Sequence, residues 1–125
     1  MNKIFTLVLF VLALSTVSSA RLKPNQLAGK WKYKILLYNG QLEGWFEFSL
    51  KDEVFEGKNI QSDGNISKLS DIKINNKNET LCFKLVREND VPIDFILIFN
   101  DNKFKGKGWI SDESFEITGD KITIQ

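Results

Sequence analysis

The chain has 125 residues, with 17 Lys and Arg against 16 Asp and Glu, one cysteine and no histidine. A net charge of +1 leaves no electrostatic footprint for nucleic acid or for an anionic membrane surface. The missing histidine removes Ser–His and Cys–His nucleophile pairs and the commonest zinc ligand sets, and Cys82 alone forms no intramolecular disulfide.

Residues 1–20 read as a secretory signal peptide. Lys3 supplies the positive start, Ile4 to Leu14 the apolar run, and Ser18-Ser19-Ala20 the small residues before a cleavage site. An apolar run of about eleven residues falls short of the roughly 20 that a membrane-spanning helix needs. The expected address is therefore secreted or periplasmic, with no stable membrane anchor. Residues 21–125 form one small domain that buries a single core.

Arg21 to Gln26 is a polar lead-in, read as extended around Pro24. Leu27-Ala28-Gly29 opens the first strand, in which Trp31, Tyr33, Ile35 and Leu37 share one face and Lys30, Lys32 and Lys34 the other. Asn39-Gly40 signals a tight turn, and Gly44 lies just before a second strand with Phe46, Phe48 and Leu50 inward. Lys51-Asp52-Glu53 turns the chain into a third strand, about Val54 to Gln61. Ser62-Asp63-Gly64-Asn65 is the next turn. The fourth strand runs near Leu69 to Asn75; Leu69 is out of phase with Ile72 and Ile74, which predicts a bulge at Ser70-Asp71. Thr80 to Val86 is the fifth strand, ended by Glu88-Asn89-Asp90. Val91 to Asn100 is the sixth, with Ile93, Phe95, Leu97 and Phe99 inward and Ile96 and Ile98 outward. Lys103 to Ser111 is the seventh. Phe115 and Ile117, then Thr118-Gly119-Asp120, then Ile122 and Ile124, form either an eighth strand or a bent terminal hairpin.

Part of this pattern occurs twice. Phe95 stands 49 positions after Phe46, and the same offset relates Asp101 to Asp52, Phe104 to Phe55, Gly106 to Gly57 and Lys107 to Lys58. Extended backwards with a one-residue indel it aligns Trp31 with Leu81; extended forwards it sets Ile66 on Phe115. The chain thus reads as two four-strand halves with hairpin-length loops, which leaves no long crossover. The expected fold is all-β: an antiparallel up-and-down meander of about eight strands closing into a small barrel, since closure removes the exposed edges. Gly57 and Gly106 are inward at mid-strand, read as barrel corners, with close approach of a ligand as the alternative.

No residue is assigned a catalytic or metal-binding role, no cofactor is implied, and the chain is expected not to be an enzyme. The acids fall on turns and outward positions, and Asp63-Gly64-Asn65 lacks the spacing of a calcium loop. Asn65-Ile66-Ser67 and Asn78-Glu79-Thr80 match the glycosylation sequon in predicted turns. Two binding sets stand out. Trp31, Tyr33, Phe48, Asn59 and Gln61 are inward, with Asn59 and Gln61 near one barrel mouth and Trp31 and Tyr33 entering at the other side. Such a face suits a small apolar or amphipathic ligand if the barrel is hollow; a simply filled barrel is the competing reading. Tyr38, Trp45, Ile96, Ile98 and Trp109 are outward and suit a glycan or protein partner. The expected assembly is a monomer or weak homodimer.

The segment Leu27-Ala28-Gly29-Lys30-Trp31 resembles the Gly-x-Trp start of lipocalin-like (calycin) barrels. Gly29–Trp31, Phe46–Phe48, Phe55–Gly57, Ile72–Ile74 and Phe115–Lys121 together resemble the layout of short secreted bacterial lipocalin-like domains of unknown function. The resemblance spans residues 21–125, and implies a lipocalin-like barrel and an exported address without naming a ligand. The chain departs from full lipocalins in being shorter, in lacking their disulfides and in showing no C-terminal helix in its sequence.

Overall fold

The computed structural model describes residues 22–86 and 91–123. The segment read as a signal peptide, Glu88-Asn89-Asp90 and Ile124 lie outside the described residues. Eight antiparallel strands follow one another in chain order around a closed barrel: β1 (Gly29–Leu37), β2 (Gly40–Lys51), β3 (Val54–Gln61), β4 (Ile66–Asn75), β5 (Thr80–Leu85), β6 (Ile93–Asn100), β7 (Lys103–Ile110) and β8 (Glu113–Lys121). The ring closes where β8 pairs with β1, Trp31 opposite Lys121 and Ile35 opposite Ile117.

Two-residue periodicity decides which side chains enter the barrel. In β6, Ile93, Phe95, Leu97 and Phe99 are buried while the residues between them are exposed. The duplicated hairpin keeps its register. Phe48 faces Gly57 and Leu50 faces Phe55 in the first copy; Leu97 faces Gly106 and Phe99 faces Phe104 in the second. The turns that close them use left-handed backbone at Asp52 (φ 52), Glu53 (φ 66) and Asp101 (φ 59), as tight hairpins require. The repeat weakens on either side. Phe83, rather than Leu81, faces Phe95 as Trp31 faces Phe46. Ile66 is 60% exposed although its counterpart Phe115 packs against the core.

Several local expectations need correction. The lead-in is not extended: Pro24–Leu27 forms one helical turn, α1, with Pro24 at its start, where a missing N–H costs nothing. β2 begins at Gly40, so Gly44 lies inside it, and the first turn falls on Tyr38 and Asn39. Of the two readings of the last segment the eighth strand holds: β8 is continuous through Thr118-Gly119-Asp120, and the Phe104 ring covers Gly119, where a Cβ would overlap it. The bulge is present, with the β4–β5 register shifting between Ser70 and Lys73 and Asp71 at φ 51.

One end of the barrel is filled with aromatic rings and covered by α1. α1 lays Leu27 against this end, where it is 2% exposed. The Trp31 indole N–H donates to the Leu27 carbonyl at 2.9 Å, and Lys121 Nζ donates to the Gln26 carbonyl at 3.0 Å. Above that plug the Trp31 ring meets Phe99 edge-on at 4.9 Å and lies 5.8 Å from Phe104. Phe46, Phe48, Phe83 and Phe95 fill the middle with mutual ring distances of 5.1 to 6.1 Å. Gly57 leaves room for Phe48, since a Cβ there would sit 2.7 Å from the ring. At Gly106 the constraint is backbone: a Cβ would overlap the Ile96 carbonyl oxygen.

Candidate functional site

The other end is built differently. It is bounded by the ends of β1, β3 and β7 and the starts of β2, β6 and β8, and it opens into a cavity of about 430 Å³. That volume lies within the roughly 300–1,000 Å³ range of small-molecule pockets. Leu37, Leu42 and Ile110 stand at its rim, 39% to 49% exposed, and Phe95, Leu85 and Ile93 are buried in its wall. Phe115 completes the wall edge-on to Phe95 at 5.8 Å. Its ring lies over Gly108, the residue opposite it on β7, where any Cβ would overlap the ring.

Tyr33, Asn59 and Gln61 set polar groups among these apolar walls, with Glu43, Ser62 and Asp63 also in the lining. Tyr33 on β1, Gly44 on β2 and Gln61 on β3 stand in one row across the sheet. Because Gly44 has no side chain, the Tyr33 phenol passes over it; a Cβ at Gly44 would lie 2.5 Å from the Tyr33 oxygen. The hydroxyl thereby reaches β3 and donates to Asn59 Oδ1 at 2.6 Å. Asn59 is 1% exposed, and its amide nitrogen Nδ2 has no hydrogen-bonding partner among the described residues. A buried donor left unmade costs about 1–3 kcal/mol, while Oδ1 of the same amide satisfies the Tyr33 hydroxyl. Gln61 is held by its backbone: its N–H donates to the Asn65 carbonyl and its carbonyl accepts from Gly64, both at 2.9 Å. Asp63 caps that turn by accepting from the Asn65 N–H at 2.9 Å.

The inward set is therefore divided. Tyr33, Asn59 and Gln61 meet at the open end, whereas Trp31 and Phe48 do not line the cup and are 0% and 1% exposed in the filled part. Tyr33 enters on the same side as Asn59, not at the opposite mouth, and only Trp31 belongs to the closed end. Ile93 and Phe95 were legible as inward positions but not as cup walls, and Leu85 and Phe115 complete the wall beside them. The sequence signals for the cup were the inward amides Asn59 and Gln61 and the mismatch between the two hairpins, Asn59 in one against Gly108 in the other.

The outward set is also divided. Ile96, Ile98 and Trp109 border a shallow groove on β6–β8 with Lys105 and Lys107. Trp45 lies on β2 beside Ile60 of β3, with Lys30 Nζ 5.6 Å from its ring centre. β1 separates it from the β8 edge of that groove. Tyr38 stands fully exposed in the β1–β2 turn.

No family model matches the sequence, and no curated protein matches it. Solved barrels do match the fold. A de novo designed fluorescence-activating β-barrel superposes with a TM-score of 0.56 at 13% identity, over 79% of this chain and 96% of its own. A redesigned β-barrel gives a TM-score of 0.58 at 16% identity, over 80% of this chain and 95% of its own. The chain is thus an eight-stranded antiparallel up-and-down barrel similar to these designs in fold.

Proposed function

We propose that this chain is an exported, lipocalin-like, non-enzymatic binding protein that holds a small apolar or amphipathic ligand in the cup at the open end. The observation that carries this reading is the asymmetry of the barrel. One end is packed with rings and covered by α1, while at the other apolar walls surround a cup on which Tyr33, Asn59 and Gln61 converge. Eight-stranded barrels are of the size that can hold one small ligand. The alternation also fits a water-facing exterior: Lys32, Lys34 and Glu56 point out while aromatics point in, the reverse of a transmembrane barrel. The sequence of residues 1–20 supports export.

Titration with the neutral solvatochromic dye Nile red tests the proposal. Saturable one-to-one binding is expected, weakened at least about tenfold by Leu42→Trp, which fills the mouth from an exposed rim position, and unchanged by Trp109→Ala on the outer groove. Absence of saturable binding would refute the reading. Sensitivity to Trp109→Ala without sensitivity to Leu42→Trp would move the site to the outer face, in favour of a glycan or protein partner.

A further inference from the structure

The floor of the cup specifies which end of a ligand enters first. Asn59 Oδ1 is already occupied by the Tyr33 hydroxyl, so the amide is left with donor capacity at Nδ2. A buried donor selects an acceptor. The charges nearby select against ions. Among the described lining residues there is no Lys or Arg. The two acids, Glu43 and Asp63, are engaged elsewhere: Glu43 pairs with Lys32 at 3.7 Å, and Asp63 is held in its turn by Asn65. A carboxylate taken to the floor would lose its hydration with one amide donor in return, and an ammonium would lose its hydration at a floor whose unmade hydrogen bond is a donor's.

Resting on the reading of the cup as a ligand site, we propose that it takes a neutral molecule whose carbonyl or ether oxygen enters first and accepts a hydrogen bond from Asn59 Nδ2. The apolar remainder of the molecule extends between Phe95 and Phe115 towards Leu42 and Ile110 at the rim. Tyr33 acts as a positioning residue, fixing the amide so that its nitrogen is the group presented. Gly44 is what lets the phenol reach it.

Displacement of Nile red by nonan-2-one, nonanoate, nonylammonium and butylbenzene separates the possibilities. Nonan-2-one is expected to bind at least about tenfold tighter than either ion, a difference of about 1.4 kcal/mol. Asn59→Leu is expected to weaken the ketone about tenfold and leave butylbenzene, which offers no oxygen acceptor, unchanged or tighter. The infrared carbonyl band of nonan-2-one bound to the unmodified protein, expected below its position in hexane, gives the same answer without a variant. Equal or tighter binding of nonanoate, an unchanged ketone-to-butylbenzene ratio in Asn59→Leu, or a hexane-like carbonyl band would each overturn the acceptor-first orientation while leaving a ligand cup in place. Failure of the dye and all four compounds to bind would instead remove the cup as a ligand site, and the orientation with it.

Discussion

Phe46→Ala is expected to destabilise the protein by about 3–5 kcal/mol, the range for emptying a buried aromatic site. Phe46 is 0% exposed and is the ring through which most others touch. It lies 4.4 Å from Tyr33, packs edge-on against Phe83 at 5.1 Å and Phe95 at 5.5 Å, and lies 6.3 Å from Phe104. Those partners come from β1, β5, β6 and β7, so the void would open at the barrel centre where no single strand can relax into it. A domain of this size has a total stability of about 5–15 kcal/mol, so the variant is left marginal. Urea denaturation measures the effect as a lower midpoint at unchanged slope. A loss below about 1 kcal/mol would mean that the centre is not packed as described.

Gly106→Ala is the second large effect, and it separates two positions that the repeat makes equivalent. Gly57 and Gly106 occupy the same place in the two hairpins, and Gly57 is the more deeply buried. Burial alone would make Gly57 the costlier site. The geometry reverses the order. A Cβ at Gly57 meets the Phe48 ring at 2.7 Å and Leu69 Cδ1 at 2.9 Å, both side chains that can turn aside. A Cβ at Gly106 meets the Ile96 carbonyl oxygen, and Leu97 Cα at 2.9 Å, which move only if β6 moves. Overpacking costs about 1–3 kcal/mol and occasionally more. Gly106→Ala is expected at or above the top of that range and Gly57→Ala at least about 1 kcal/mol below it. Paired thermal melts decide between the two orders, and equal losses would contradict the account.

The fold was legible because alternation is a direct record of which side of a sheet a residue faces. Phe46, Phe48, Phe95 and Phe99 needed no tertiary information to be placed inward, and the shared spacing of Phe55–Gly57 and Phe104–Gly106 predicted two hairpins of one register. Depth is different. Whether an inward residue belongs to the packed half or to the cup depends on strand tilt and stagger around the whole ring, which no single strand encodes. Trp31 and Tyr33 are two residues apart on one face, yet one seals the closed end and the other reaches the cup. For the same reason Phe48 was assigned to the site and Phe115 was not. The helical turn α1 escaped notice because four residues, Pro24 to Leu27, carry no periodicity, and only Pro24 at its first position marks it. Thr118-Gly119-Asp120 left the last segment open between a strand and a hairpin, because Gly119 serves the packing of Phe104 and not a turn.

The division of the barrel into a sealed half and an open cup is tested most directly by amide and indole chemical shifts on saturation with nonan-2-one. Two indole N–H groups act as internal references, Trp31 at the plug and Trp109 on the outer face. Shifts confined to the Asn59 side-chain amide, Gln61, Gly108 and Phe115, with both indoles unmoved, are the predicted result. Movement of the Trp31 or Trp109 indole with the Asn59 amide unaffected would contradict it.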